Sequence, residues 1–225
     1  MTPFLAIDTS GGTSVAIVHN GEALAEHVID DPMGHSENIG EALAEILHEA
    51  GLAPHEVRAV VVGRGPAPFT GLRVGIAAAI AFAEGIGKPL FGAVSHDAIA
   101  RDFFDTISDA DLAAIQAGSR LLVTTDARRK EVYWSLYSGL DSHGAPICVD
   151  GPHVNKPAEL EDLLDQKNVQ RITTDIALSP VTLARVAAAN LAAGRNITDV
   201  SALYLRAPDA VEPKAHGKFG KQVSS

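Results

Sequence analysis

Residues 60–82, "VVVGRGPAPFTGLRVGIAAAIAF", set a β-branched run against a loop of glycines and prolines, then a helix with almost no polar face. The run reads as a buried strand and the segment after Thr70 keeps helical spacing, so a strand–loop–helix unit is the first constraint on the fold. At roughly 100° per residue, Leu72, Ile76 and Ile80 make one apolar stripe and Gly75, Ala79 and Ala83 make another about 50° away. Only Arg73 and Glu84 mark a polar side. Two apolar stripes need two neighbours. One is the helix's own sheet; the other is either more of the same domain or a second chain, whose backbone the small-residue stripe would let approach closely.

Around this unit the chain reads βββαβαβ. "FLAIDTS", "SVAIVHNG" and "EALAEHVID" form a meander with an Asn-Gly hairpin signal. Ser36 can cap a helix in which Ile39, Leu43, Ile46 and Leu47 recur at helical spacing, and Thr70 can cap the next. Glu37, Glu41, Glu45 and Glu49 stand at successive i, i+4 positions, either a solvated face or a docking face for a basic partner. After a polar stretch at 105–119, "SRLLVTTDARRKEVYWSLYSG" and "APICVDG" repeat the meander, and helices at 157–165 and 179–194 flank a short strand "VQRITTD". Two halves with the same opening imply a duplicated α/β fold with the second copy trimmed: 1–104, 105–210, and a flexible tail over 211–225.

Composition narrows the function. The chain has 18 Lys and Arg against 28 Asp and Glu, and residues 1–104 hold 5 of the former and 13 of the latter. An acidic half repels phosphate backbones, so nucleic acid is expected to be held through a partner. Cys148 is the single cysteine, which excludes an internal disulfide and a thiolate zinc site. No targeting segment or membrane span is read, and the expectation is a soluble cytoplasmic protein. The loop "GRGPAPFTG" matches neither the phosphate-loop nor the dinucleotide fingerprint. It keeps a generic anion capacity at a helix N-terminus, set against a tight connection with positive φ at Gly63 or Gly65. The candidates for weak phosphate binding are Asp8, Thr9, Ser10, Thr13 and Gly65; a hairpin with an Asx-turn needs the same residues at 8–13. No paired histidines or serine elbow are present.

Four segments, "LAIDTSGGTSVAIV", "GRGPAPFTGLRVGIAAAIAFAEGIGKPLFGAVS", "DARRKEVYWSLY" and "SALYLR", together resemble the TsaB (YeaZ) family, and the match runs over most of residues 4–138. The resemblance implies two actin-like (ASKHA, RNase H-like) α/β subdomains. It also implies a non-catalytic scaffold of the bacterial tRNA threonylcarbamoyladenosine machinery, one that dimerises with a TsaD-like catalytic paralogue. By the same resemblance it helps recruit a TsaE-like ATPase and forms a homodimer when alone. Where the paralogue carries His-x-x-x-His this chain reads "SHDAIA": His96 is kept and Ala100 replaces the second histidine, so no metal is expected. The second half lacks the Gly-Gly adenosine loop, so no resident cofactor is expected beyond weak or interface nucleotide. The family loop Gly-Pro-Gly-Ser-Phe-Thr-Gly has Ala67 and Pro68 here. The implied partner face is Ile39, Leu43, Ile46, Leu47, Thr70, Arg73, Val74, Gly75, Ala78, Ala79, Phe82 and Ala83. An alternative from the same superfamily is a small-molecule kinase or phosphohydrolase using Asp8 and magnesium. The basic turn Arg128, Arg129, Lys130 is left without a role.

Overall fold

A computed structural model describes residues 3–29, 35–174 and 176–206. Strands β1 (Phe4–Asp8), β2 (Thr13–His19) and β3 (Glu22–Ile29) form the expected meander, closed between β2 and β3 by Asn20 and Gly21, both at positive φ. That is the backbone an Asn-Gly hairpin turn requires. Helix α1 (His35–Glu49), β4 (Ala59–Gly63), α2 (Phe69–Ile86) and β5 (Leu90–Ala93) complete a five-stranded sheet ordered β3-β2-β1-β4-β5. β1, β4 and β5 run parallel. Next come α3 (Ser95–Asp105), α4 (Asp109–Gln116), β6 (Arg120–Asp126), β7 (Val132–Leu140), β8 (Pro146–Asn155), α5 (Pro157–Gln166), β9 (Arg171–Thr173) and α6 (Pro180–Ala192). The second sheet, β8-β7-β6-β9, repeats the first strand for strand up to β4 and, among the described residues, has no counterpart of β5. This is the trimmed duplication that the repeated meander predicts: an actin-like α/β fold.

The alternation of side chains along each strand builds five layers. Leu5, Ile7, Val15, Ile17, Val60 and Val62 face α1 and α2, whereas Ala6, Ala16, Val18 and Val61 face α6. In the second sheet Leu121, Val123 and Tyr137 face α3, and Leu122, Trp134 and Leu136 face α5. Helix α3 is shared: Ala98 packs with Val61 and Leu183, while Ile99, Ala100 and Phe103 pack with Leu121, Val123 and Tyr137.

Three details differ from the sequence expectation. The stretch 105–119 contains α4, capped by the Ser108 hydroxyl accepting from Asp111 N. Helix α2 begins at Phe69 with Pro68 at its N-cap and no side-chain cap, so Thr70 does not cap it. Helix α6, read with the second half, packs on β1, β2, β4 and β5 of the first sheet. The tail expected from Val211 lies outside the described residues.

Two glycines in α2 sit in opposite environments. A Cβ on Gly75 would lie 2.2 Å from Thr9 Oγ1, whereas one on Gly85 would meet nothing within 4 Å. Gly75→Ala is expected to destabilise by about 1–3 kcal/mol through overpacking. Gly85→Ala is expected to stabilise by roughly 0.5–1 kcal/mol through helix propensity. Denaturant unfolding of the two variants checks the opposite signs.

Candidate functional site

Three elements end at one point. Asp8 closes β1, Gly63 closes β4 and Ser95 opens α3. Asp8 is 1% exposed and its carboxylate accepts hydrogen bonds from Ser10 N at 2.7 Å, Ser10 Oγ at 2.5 Å and Ser95 Oγ at 2.6 Å. Gly63 makes the room: a Cβ there would stand 1.7 Å from Asp8 Oδ2. Beside it the Thr9 hydroxyl donates to Gly71 O at 2.8 Å, tying β1 to the first turn of α2. Thr13 is buried, and Gly65, at φ +94°, uses its carbonyl to accept from Ser95 N at 2.8 Å.

The five residues predicted to hold phosphate lie about one junction, where Asp8, Thr9, Ser10 and Gly65 make the bonds within the protein just described. Arg64 reaches Asp199 Oδ2 at 2.6 Å and Ser201 O at 3.0 Å, and Arg73 reaches Tyr204 Oη at 2.8 Å. The Asx-turn reading of 8–10 is the one the geometry carries.

His96 is also shut away. Fully buried at the start of α3, its Nδ1 lies 2.8 Å from Ser135 Oγ and its Nε2 2.9 Å from Thr125 Oγ1, and burial lowers its pKa to about 3. Both ring nitrogens lie at hydrogen-bond distance from hydroxyls, and Ala100 is buried. Among the described residues no three His, Cys, Asp or Glu side chains converge as a metal set. Next door, Tyr137 Oη donates to Asp97 Oδ1 at 2.7 Å, and burial raises the Asp97 pKa to about 6.

The predicted partner face divides. Ile39, Ile46, Leu47, Gly75, Ala79 and Ala83 are buried, and Leu43, Val74, Ala78 and Phe82 pack half-buried on the same core. The small-residue stripe is therefore spent on the chain's own sheet: Gly75 and Ala79 let α2 lie close to β1. The free face of α2 is the opposite one, formed by Phe69, Thr70, Arg73, Ala77, Ile80, Ala81 and Glu84. Thr70 and Arg73 belong to the predicted set; the apolar residues Phe69, Ala77, Ile80 and Ala81 do not. The helical wheel contained them, lying about 140° from the buried stripe, but which stripe met the sheet was a tertiary fact. At the N-terminal edge of this face the Arg73 guanidinium stacks 3.5 Å from the Phe69 ring centroid, and Tyr204, from the segment "SALYLR", packs 5.1 Å from the same ring.

The acidic stripe of α1 is partly paired. Glu45 and Glu49 hold the two ring nitrogens of His27 at 3.2 and 3.0 Å, and Glu41 is exposed. The Glu37 side chain lies outside the described residues. By length and composition α2 is apolar enough to cross a membrane, yet its buried stripe closes the core of the first sheet.

Residues 32–207 match the family model described as TsaD, tRNA N6-adenosine threonylcarbamoyltransferase. The chain is 30% identical over 170 residues to the tRNA threonylcarbamoyladenosine biosynthesis protein TsaB of Escherichia coli, covering 75% of this chain and 69% of that protein. The chain belongs to the TsaB family. An uncharacterized protein of Mycobacterium tuberculosis is 37% identical over 92% of both chains. The crystal structure titled YeaZ from Pseudomonas aeruginosa superposes with a TM-score of 0.68 at 26% identity, covering 91% of this chain and all of that one.

For this TsaB-family chain the two buried titrating groups drive stability in opposite directions. The lowered His96 pKa contributes stability that is present above about pH 6.5 and lost as pH falls toward 3. The raised Asp97 pKa contributes stability that is present below about pH 4 and lost as pH rises through 6. His96→Gln is expected to flatten the acid limb of a stability profile over pH 4–8. Asp97→Asn is expected to gain on the wild type as pH rises, by roughly 1–2 kcal/mol at pH 7. Thermal melts across that range check both; parallel profiles for wild type and Asp97→Asn would show that Asp97 titrates as in the unfolded chain.

Proposed function

We propose that this chain is a non-catalytic subunit of the machinery that makes tRNA threonylcarbamoyladenosine, docking on a TsaD-like catalytic paralogue through the exposed face of α2. The observation that carries the reading is that face itself. Phe69, Ala77, Ile80 and Ala81 stand exposed on an 18-residue helix whose other side is closed by the core. An apolar strip of this kind, bordered by Arg73 and Glu84, is a surface suited to a protein partner. The absence of a second histidine after His96 and the internal commitments of Asp8 support a structural rather than catalytic part in the reaction. The same face serves self-association when the paralogue is absent, and the assembled pair recruits a TsaE-like ATPase. No resident cofactor is required, and any nucleotide belongs to the interface. The setting is the cytoplasm.

Ala77→Arg and Ile80→Arg are expected to weaken capture of the TsaD-like paralogue at least tenfold, about 1.4 kcal/mol or more, while the melting temperature stays near that of the wild type. In cells depleted of the native protein, the same variants are expected to leave threonylcarbamoyl adenosine in bulk tRNA low by nucleoside mass spectrometry, whereas Asp8→Asn that still folds restores it. Undiminished capture by both arginine variants would remove α2 from the interface. Ala79→Arg does not test docking, because Ala79 is fully buried and its replacement reports on folding.

A further inference from the structure

The free face of α2 carries two charges that the chain itself does not answer. Arg73 and Glu84 stand at i and i+11, which places them about 20° apart around the helix and about 16 Å apart along its axis. Ala77 and Ile80 lie between them within the same arc of roughly 60°, and all four residues are exposed. The face is therefore a narrow seam, with a cation at its N-terminal end, an anion at its C-terminal end and one small and one large apolar residue in the middle.

Elsewhere the chain pairs its guanidiniums internally: Arg64, Arg101, Arg128, Arg171, Arg195 and Arg206 each reach a carboxylate. Arg73 does not. Among the described residues its hydrogen bond is the one from Nε to Tyr204 Oη at 2.8 Å, and neither Nη group has an acceptor. Its guanidinium is nevertheless held, 3.5 Å from the Phe69 ring centroid and 5.5 Å from that of Tyr204. A cation fixed in this way gives up little side-chain freedom when a carboxylate arrives. Glu84, likewise, has no ion pair or hydrogen bond among the described residues, Lys88 on the next turn included.

We infer that this seam takes a second copy of itself, the two α2 helices running antiparallel about a two-fold axis near Ala77 and Ile80, with Arg73 of each copy paired to Glu84 of the other. The inference rests on the proposed docking face and fixes the direction and the charge pairing of its self-partner. A two-fold axis across the helices brings each end of one onto the opposite end of the other, so one cation and one anion per chain generate two ion pairs. Parallel helices would set Arg73 against Arg73 and Glu84 against Glu84, which the like charges oppose. Groups about 16 Å apart along the axis meet their partners only if the helices cross at a shallow angle, in the class near +20°. Ala77 and Ala81 permit that approach, and Ile80 of one copy then lies over Ala77 of the other. A single helix face is a small interface, so the dimer is weak and exchanges readily. It covers the residues offered to the paralogue, and the two assemblies therefore exclude each other.

The test is sedimentation equilibrium of the full chain over a range of concentrations, at low and at high salt. The wild type is expected to show a monomer–dimer equilibrium that high salt weakens. Arg73→Glu and Glu84→Arg, each alone, set like charges opposite at both ends of the seam and are expected to weaken the dimer at least tenfold, roughly, with melting temperatures near that of the wild type. The double variant Arg73→Glu/Glu84→Arg restores both pairs with the signs exchanged, and so does an equimolar mixture of the two single variants. Each is expected to recover the dimer to within about threefold. The mixture guards against a merely structural loss at Arg73, which Glu84→Arg could not repair. Added TsaD-like paralogue is expected to lower the wild-type dimer fraction. The inference is overturned if the wild type is monomeric throughout, if the single variants dimerise as the wild type does, or if neither the double variant nor the mixture recovers. Undiminished dimerisation of Ile80→Arg overturns it as well. A chain that stays monomeric yet captures the paralogue, and loses it in Ile80→Arg, overturns this inference and leaves the docking reading intact.

Discussion

The buried carboxylate of Asp8 is the constraint around which the first half is arranged. A carboxylate so enclosed is tolerated only if its oxygens are met by donors, and the chain meets them from its own hairpin and from the first residue of α3. The consequence reaches outward. Gly63 must lack a side chain for Asp8 to fit, Thr9 is then placed to bond Gly71, and Gly75 must lack one for Thr9 to fit. The angle at which α2 leaves the loop, and hence the face it offers to solvent, follows from this sequence of close contacts.

That logic separates what the sequence made legible from what it did not. The meander, the Asn20–Gly21 turn and the repeat of the meander were readable, because strand alternation and turn chemistry are local. The assignment of the small-residue stripe to a partner was not secure, because Gly75, Ala79 and Ala83 permit close approach without naming what approaches. Here it is β1 and the core beneath it. Tyr204 had no local signal, since its place on Phe69 and Arg73 exists only once the C-terminal segment has crossed Arg64. Helix α6 was legible as a helix over 179–194, but not as a layer of the first sheet.

The junction is also where the fold closes its strand ends with polar side chains. His96 lies between the hydroxyls of Ser135 and Thr125, and the carboxylate of Asp8 accepts from the hydroxyls of Ser10 and Ser95. Polar residues at the meeting of strand ends and a helix start are kept because the fold must close there.

The position of α6 has a consequence for how the chain matures on the ribosome. Ala6, Ala16 and Val61, in strands made early, are covered by Val181, Ala184, Leu183 and Ala187, made late. Until the segment through Ala192 has left the exit tunnel, that face of the first sheet lacks its α6 cover and has only α3 against it. The first half thus completes its core with an element made late, despite its complete set of strands. Exposed sheet faces of this kind are what chaperones engage during synthesis. A chain truncated before Pro180 would keep every strand of both sheets and still lack the layer that joins them.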